Sequence, residues 1–251
     1  MKYFGLTDRG RLRKTNQDSY TIASNRAGDV FAVVCDGIGG GKGGDIASRL
    51  AVTHFSMAFS NNEGFKDDQQ VKRWLEIEIP AANEEIFRTG QRTPELKGMG
   101  TTLTGVMITS VGRFVINVGD SRTYAYYADD TMKVLTTDHT LVNDMLRHGE
   151  LTPEEAKNYP RKNVLTNALG VWEKSRFDVE RHDEAVNGFL ICSDGLHGYV
   201  DEEVIRSIVL NRMMDPALRV RRLYAEAMNA GGFDNITAIL IDLEGDETYG
   251  R

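Results

Sequence analysis

The chain predicts an α+β fold in which antiparallel sheets carry helices on their outer faces. Strand-like runs come in groups, as hairpins and meanders do, and do not alternate with helices as in βαβ units. The last strand runs give way to two helical stretches, the pattern of sheets covered from outside. At 251 residues, with no linker-like stretch, residues 1–251 read as a single domain.

Residues 2–7, 19–24 and 29–35 read as strands, and the turn around residues 25–28 predicts a hairpin between the last two. DIASRLAVTHFSMAF then has apolar spacing near 3.6 and predicts a helix from Gly44, stopped by residues 61–64. A second helix is expected over residues 67–88, with Pro80 kinking or dividing it, and both helices cover one sheet. TTLTGVMI, RFVINVG, RTYAYYA and MKVLTT predict one antiparallel meander. Residues 139–162 break it as a surface insertion, with a short helix at LVNDMLRHGE. A second start follows at LTPEEAKN, where Thr152 caps, Pro153 takes the first position and Glu155 completes a capping box. Strands are expected at VLTNAL, SRFDVERH and GFLICS, helices at DEEVIRSIVL and DPALRVRRLYAEAMNA, and a final strand at ITAILIDL.

Composition narrows the function. A net charge of −7 argues against a nucleic-acid surface. Residues 1–16 lack the apolar stretch of a signal peptide, and no apolar run approaches the ~20 residues that span a bilayer, so a cytoplasmic setting is expected. Cys35 and Cys192 lie inside apolar strands and read as reduced core residues.

Four aspartates sit where an apolar run meets a turn: Asp36 in FAVVCDGIGG, Asp120 in FVINVGDSR, Asp194 in FLICSDGL and Asp234 in GGFDNITAIL. Strands that each deliver a carboxylate to a polar end can gather acids at one sheet edge, an arrangement that is costly without cations. An all-oxygen donor set suits Mg2+ or Mn2+ better than zinc. The glycines after Asp36 admit several readings. A nucleotide-hydrolase phosphate loop fails, because Gly43 follows Lys42 where Ser or Thr is required. A dinucleotide fingerprint is met by Gly39, Gly41 and Gly44, yet the region that should carry its partner acid is the polar NNEGFKDDQQ. A plain tight turn is the bland reading. In the reading preferred here, Gly37 lets the backbone approach a metal, so that its carbonyl joins the Asp36 carboxylate as a ligand.

RGRLRKTNQDS, VVCDGIGGGKGGDIAS, GMGTTLTG, NVGDSR, TTDHTLV, NVLTNALG, ICSDGL and GGFDNIT follow one another in the order found in the metal-dependent Ser/Thr protein phosphatases of type 2C. The chain resembles the single-domain bacterial form of that family over nearly its whole length. The resemblance implies a four-layer αββα sandwich of two antiparallel sheets flanked by helices, and removal of phosphate from phosphoserine and phosphothreonine with Mn2+ or Mg2+. It implies two ions per active site, with Asp36 bridging them, the Gly37 carbonyl completing the first site and Asp194 and Asp234 the second. Asp120 resembles the ligand of a third, weaker site, Asp18 an acid that holds water on the first metal, and Arg13 the arginine that grips phosphate oxygens. Ser/Thr-phosphorylated proteins, made by a cognate kinase, are the implied partners of a monomeric enzyme. Residues 139–162 resemble the family's flap, a segment beside the site that tunes access.

Two divalent ions about 3.5 to 4 Å apart can share a water, lower its pKa and present hydroxide in line with the P–O bond, so no side-chain nucleophile is required. A catalytically silent phosphoprotein-binding module of the same fold is the alternative, but it predicts loss of Arg13 or of a metal aspartate, and all are present. Among the five histidines, His139 alone lies in a recognisable motif and reads as structural, while His54, His148, His182 and His197 carry no pattern. Relatives that carry a histidine general acid place it where this chain has Gly41 or Ile38, so metal-bound water is the expected proton donor. A Gly41→His variant is therefore expected to leave the pH profile of turnover unchanged; a large rate gain would reveal a missing acid.

Overall fold

The computed structural model describes residues 1–39, 42–157, 159–160, 164–182 and 185–243. The first sheet holds β1 (Lys2–Asp8), β7 (Arg122–Tyr127), β8 (Met132–Val134), β10 (Val186–Cys192) and β11 (Ile236–Asp242), ordered β1-β11-β10-β7-β8. The second sheet orders β2 (Asp18–Ser24), β3 (Val30–Ile38), β5 (Leu103–Thr109), β6 (Gly112–Val118) and β9 (Asp178–His182), with the two-residue β4 (Gly100–Thr101) hooked onto β3. All pairings are antiparallel.

The sheets stack with helices on both outsides. In β3, Phe31, Val33 and Cys35 pack under α1 (Gly44–Ser60) and α2 (Asp68–Arg92), while Ala32 and Val34 point the other way into the layer between sheets. In β11, Ile236, Ala238 and Leu240 meet α6 (Glu202–Val209) and α7 (Pro216–Asn229), while Ile239 and Ile241 face the inter-sheet layer. Central strands are thus buried on both faces, which is why they read as continuous apolar runs without strict alternation. Phe31, Phe55, Phe59 and Trp74 lock α1 and α2 onto their sheet through ring contacts of 5.5 to 5.9 Å. Cys35 and Cys192 are free and buried. Among the described residues no helix is long and apolar enough to cross a membrane.

The expected hairpin forms between β2 and β3. Three expectations need correction. The meander is not one sheet: β5 and β6 pair in one, β7 and β8 in the other, and residues 119–121 carry the chain across, because β7 is buried between α6, α7 and the facing sheet. VLTNAL makes no strand, only isolated bridges from Leu165 to Thr140 and from Leu169 to Thr101, since the Asn167 side chain is bound to the Arg176 backbone. The second helix does not end at residue 88 but runs on to Arg92, as one helix with Pro80 inside it.

The insertion holds α3 (Leu141–Arg147) and α4 (Pro153–Lys157). Its capping box is formed as expected, with the Thr152 N–H and hydroxyl both donating to Glu155 at 2.8 Å. Arg147 is exposed, whereas Arg161 and Lys162, like Gly41 in the glycine-rich turn, lie outside the described residues.

Arg219 on α7 is fully buried. Its guanidinium donates to the Val209 carbonyl at 2.7 Å and to Asp242 at the end of β11, which also accepts from the Tyr126 hydroxyl. Removing one partner of a buried charge pair strands the other. Arg219→Leu is expected to lower unfolding free energy by about 3 kcal/mol in urea titrations; a shift below about 0.5 kcal/mol would mean that the pair contributes nothing.

Candidate active site

The open end of the inter-sheet layer collects residues from both sheets. Asp36 continues the inward face of Ala32 and Val34, and Asp18 stands directly opposite it in the β2–β3 register. The strand does not stop at Asp36 as its turn-like sequence suggests: Gly37 and Ile38 go on to pair with β4. Both backbone groups of Asp36 are engaged. Its N–H donates to the Thr102 hydroxyl at 2.9 Å, and its carbonyl accepts from Thr102 N–H at 2.8 Å and the Thr101 hydroxyl at 3.0 Å. A Cβ on Gly37 would lie 2.2 Å from the Gly44 carbonyl oxygen and 2.5 Å from that of Gln17, so only glycine lets these three segments meet.

Asp194 opens the short helix α5 (Asp194–His197), which the sequence reading missed. The start of α5 lies against the start of β11, so closely that a Cβ on Gly195 would fall 1.8 Å from the Asn235 carbonyl oxygen. Asn235 in turn fastens the loop that carries Arg13: its amide donates to the carbonyls of Arg9 at 2.8 Å and Thr15 at 3.0 Å, and its oxygen accepts from Gln17 N–H at 2.8 Å. Arg13 is thereby brought to Asp234, with Nη2 donating to Oδ2 at 2.6 Å.

Asp120 follows β6 in a turn that Gly119 makes at a φ of 104°. His139 is the structural residue its motif suggested. Its Nδ1 accepts from Gly119 N–H at 3.1 Å, so Nε2 carries the proton and donates to Asp178 at 2.9 Å. His197, which no pattern singled out, donates from Nε2 to the Asp120 carbonyl at 3.0 Å. Burial holds this imidazole's pKa down to about 4, so it is neutral and ties the Asp194 helix to the Asp120 turn.

Asp18 crosses the layer beneath the cluster. Its Oδ2 accepts from Ser193, just past the end of β10, at 2.7 Å and from Thr237 on β11 at 2.6 Å, while none of the described residues donates to its buried Oδ1. The carboxylates brought together raise one another's pKa. Asp36 is pushed well up by burial and then by Asp18, Asp194, Asp120 and Asp234. Asp194 is raised by burial and Asp234, against a hydrogen bond with Asp36 and the field of Arg13. Burial pushes Asp18 and Asp120 each up to about 7, with Asp194 the leading charge acting on both. Among the described residues no three carboxylate, imidazole or thiol side chains close around one point as a finished cage. The donor set is nevertheless all oxygen, from carboxylates, backbone and solvent, which is what Mg2+ and Mn2+ accept, since both keep part of their water.

A model of protein phosphatase 2C matches residues 11–230. A serine/threonine phosphatase of Listeria welshimeri is 35% identical over 237 residues, 94% of this chain and 93% of that protein. The protein phosphatase PhpP of Streptococcus pneumoniae is 35% identical over 243 residues, covering 96% and 97%. The solved serine/threonine phosphatase of S. agalactiae superposes with a TM-score of 0.88 at 32% identity, over 95% of this chain and 98% of that one.

Asp18 and Asp120 keep protons in the folded chain between the ordinary value of 3.8 and about 7, where the unfolded chain has lost them. Folded stability from these groups is therefore complete at the acid end of that window and drains away as pH rises through it. In chelator, the melting temperature is expected to fall by several degrees from about pH 5 to about pH 8, and saturating Mn2+ is expected to cancel the fall. A flat profile in chelator would show that the cluster carries no such strain.

Proposed function

This chain belongs to the protein phosphatase 2C family, and from that premise we propose that it hydrolyses phosphoserine and phosphothreonine in proteins with water activated by two divalent cations. The observation that carries the reading is the convergence of Asp18, Asp36, Asp120, Asp194 and Asp234 at one end of the inter-sheet layer, where their charges oppose one another. Asp36, the Gly37 carbonyl, Asp194 and Asp234 would hold two Mn2+ or Mg2+ ions, and Asp120 a third, weaker one. When bound, the ions supply Lewis acidity, a nucleophile at neutral pH and charge to receive the phosphate.

The chain's own residues do the rest. Arg13 spends one donor on Asp234 and has the remainder of its guanidinium fork for phosphate oxygens. Its charge is reinforced: burial works against it, but the Asp234 hydrogen bond and the fields of Asp234, Asp36 and Asp194 keep its pKa raised. Asp18, its Oδ2 fixed by two hydroxyls, offers Oδ1 as an acceptor that orients water. Neither thiol can serve as nucleophile, since burial raises both and takes Cys192 to about 12. His139 and His197 are committed to backbone and carboxylate partners, which leaves proton delivery to the departing oxygen with solvent. Residues 1–251 act as one cytoplasmic, monomeric domain on products of a Ser/Thr kinase, with residues 139–162 as a flap governing access.

The test is hydrolysis of a phosphothreonine peptide with and without added Mn2+, comparing wild type with Asp194→Asn. Activity is expected only with metal, and the variant is expected to lose about a hundredfold or more, since a few kcal/mol of charge stabilisation is at stake. Equal activity of the two proteins, or inactivity of both with metal supplied, would overturn the assignment.

A further inference from the structure

Two of the clustered aspartates each bring an aromatic ring to the rim of the site. Phe233 immediately precedes Asp234, and Tyr199 lies just beyond the helix that Asp194 opens. Because the starts of α5 and β11 are pressed together at Gly195 and Asn235, the two rings meet, with centroids 5.6 Å apart and planes inclined by 37°. Neither ring belongs to a core cluster, and they remain 43% and 47% exposed. The Phe233 ring is seated across Gly231, where a Cβ would come within 2.2 Å of it. Leu12, 66% exposed and next to Arg13, is anchored to the same turn through its N–H and the Gly232 carbonyl.

Large apolar side chains thus stand open beside a charged cleft, on the turns that place Arg13 and Asp234. The Tyr199 hydroxyl lies within electrostatic reach of the site, since burial and then Asp234 and Asp194 raise its pKa while Arg13 opposes them. Surface apolar residues are ordinary when scattered, but contiguous ones at the edge of a cleft mark contact with a partner. An extended peptide advances about 3.5 Å per residue, so a phosphoresidue held by Arg13 delivers the side chains one or two positions away to this rim.

We propose that Tyr199 and Phe233, flanked by Leu12, form a platform that receives a large apolar side chain within two positions of the phosphoresidue and so set substrate preference. The inference rests on the phosphatase reading of the same site. An apolar occupant fits because cations held by the cluster would neutralise the carboxylates that otherwise attract a basic residue, leaving ring faces as the recognition surface. Burial of one such side chain against two rings is worth about tenfold in kcat/KM.

The experiment uses phosphothreonine peptides identical except at the positions within two residues of the phosphothreonine, set to Ala, Leu, Phe or Arg, assayed with Mn2+. Wild type is expected to favour the Leu and Phe peptides over Ala by about tenfold in kcat/KM, mostly through KM. In Tyr199→Ala and Phe233→Ala the Leu-to-Ala ratio within each variant is expected to fall towards one. Equal kcat/KM for all peptides, preference for Arg, or a preference that survives both variants would overturn the platform alone. Hydrolysis of none of the peptides by wild type would overturn the phosphatase reading and the platform with it.

Discussion

Five carboxyl groups at one end of a narrow layer set the terms for everything around them. Two unit charges about 5 Å apart repel by about 3 kcal/mol even at an effective dielectric of about 20, so five such groups cannot all ionise unaided. The chain meets this with carboxyl pKa values held up by burial and mutual repulsion at Asp36 and Asp194, with Arg13 on Asp234, and with hydroxyl donors on Asp18. None of these removes the repulsion; each leaves oxygen lone pairs that a cation could take. Divalent ions bound here would stabilise the fold, and the fold would stabilise them, by the same charges.

Holding acids together against their own repulsion requires scaffolding that does not consume the carboxylates. The aspartates are positioned mainly through the backbone. Thr101 and Thr102 hold Asp36, His197 holds the Asp120 carbonyl, Ser193 N–H bonds to the Thr237 carbonyl just before Asp194, and Asn235 fixes the turn after Asp234. Carboxylates fixed in this way are in place before any cation or substrate arrives, so little rearrangement is needed on binding. It also explains why short polar residues cluster in the chain beside each aspartate.

Most of the strands and helices were legible in the sequence, because long apolar runs and capping residues are local signals. Thr152 with Glu155 announced a helix start, and Gly44 to the stop at Asn61 marked α1 to within a residue. The crossing at Gly119 was not legible: the turn between β6 and β7 reads like any hairpin turn, and only burial of β7 on both faces sends the chain to the other sheet. The candidate aspartates were visible as carboxylates at strand ends, yet Arg13 and Asp18 stood out only by resemblance to a family, since a charged residue in a polar turn carries no local mark. His197 escaped altogether. Its partner is a carbonyl far away in sequence, and the only available clue was its place three residues after Asp194 on the same turn of helix.

The layer between the sheets changes character along its length, and that gradient explains the place of Asp18. Far from the site it is filled by Val106, Val115 and Phe189. Nearer, hydroxyl pairs bridge the sheets, Thr104 with Thr123 at 3.0 Å and Thr102 with Ser121 at 2.8 Å, before the carboxylates begin. Hydroxyls can donate or accept, so they suit a boundary between apolar packing and concentrated charge. At that boundary Ser193 and Thr237 both donate to Oδ2 of Asp18, which orients the remaining oxygen as a pure acceptor whenever the group is ionised. Asparagine would satisfy the same two hydroxyls through its carbonyl and turn an amide donor outward in place of Oδ1. The polarity of that one outward atom, and not the hydrogen bonds that hold the side chain, is what an aspartate contributes there.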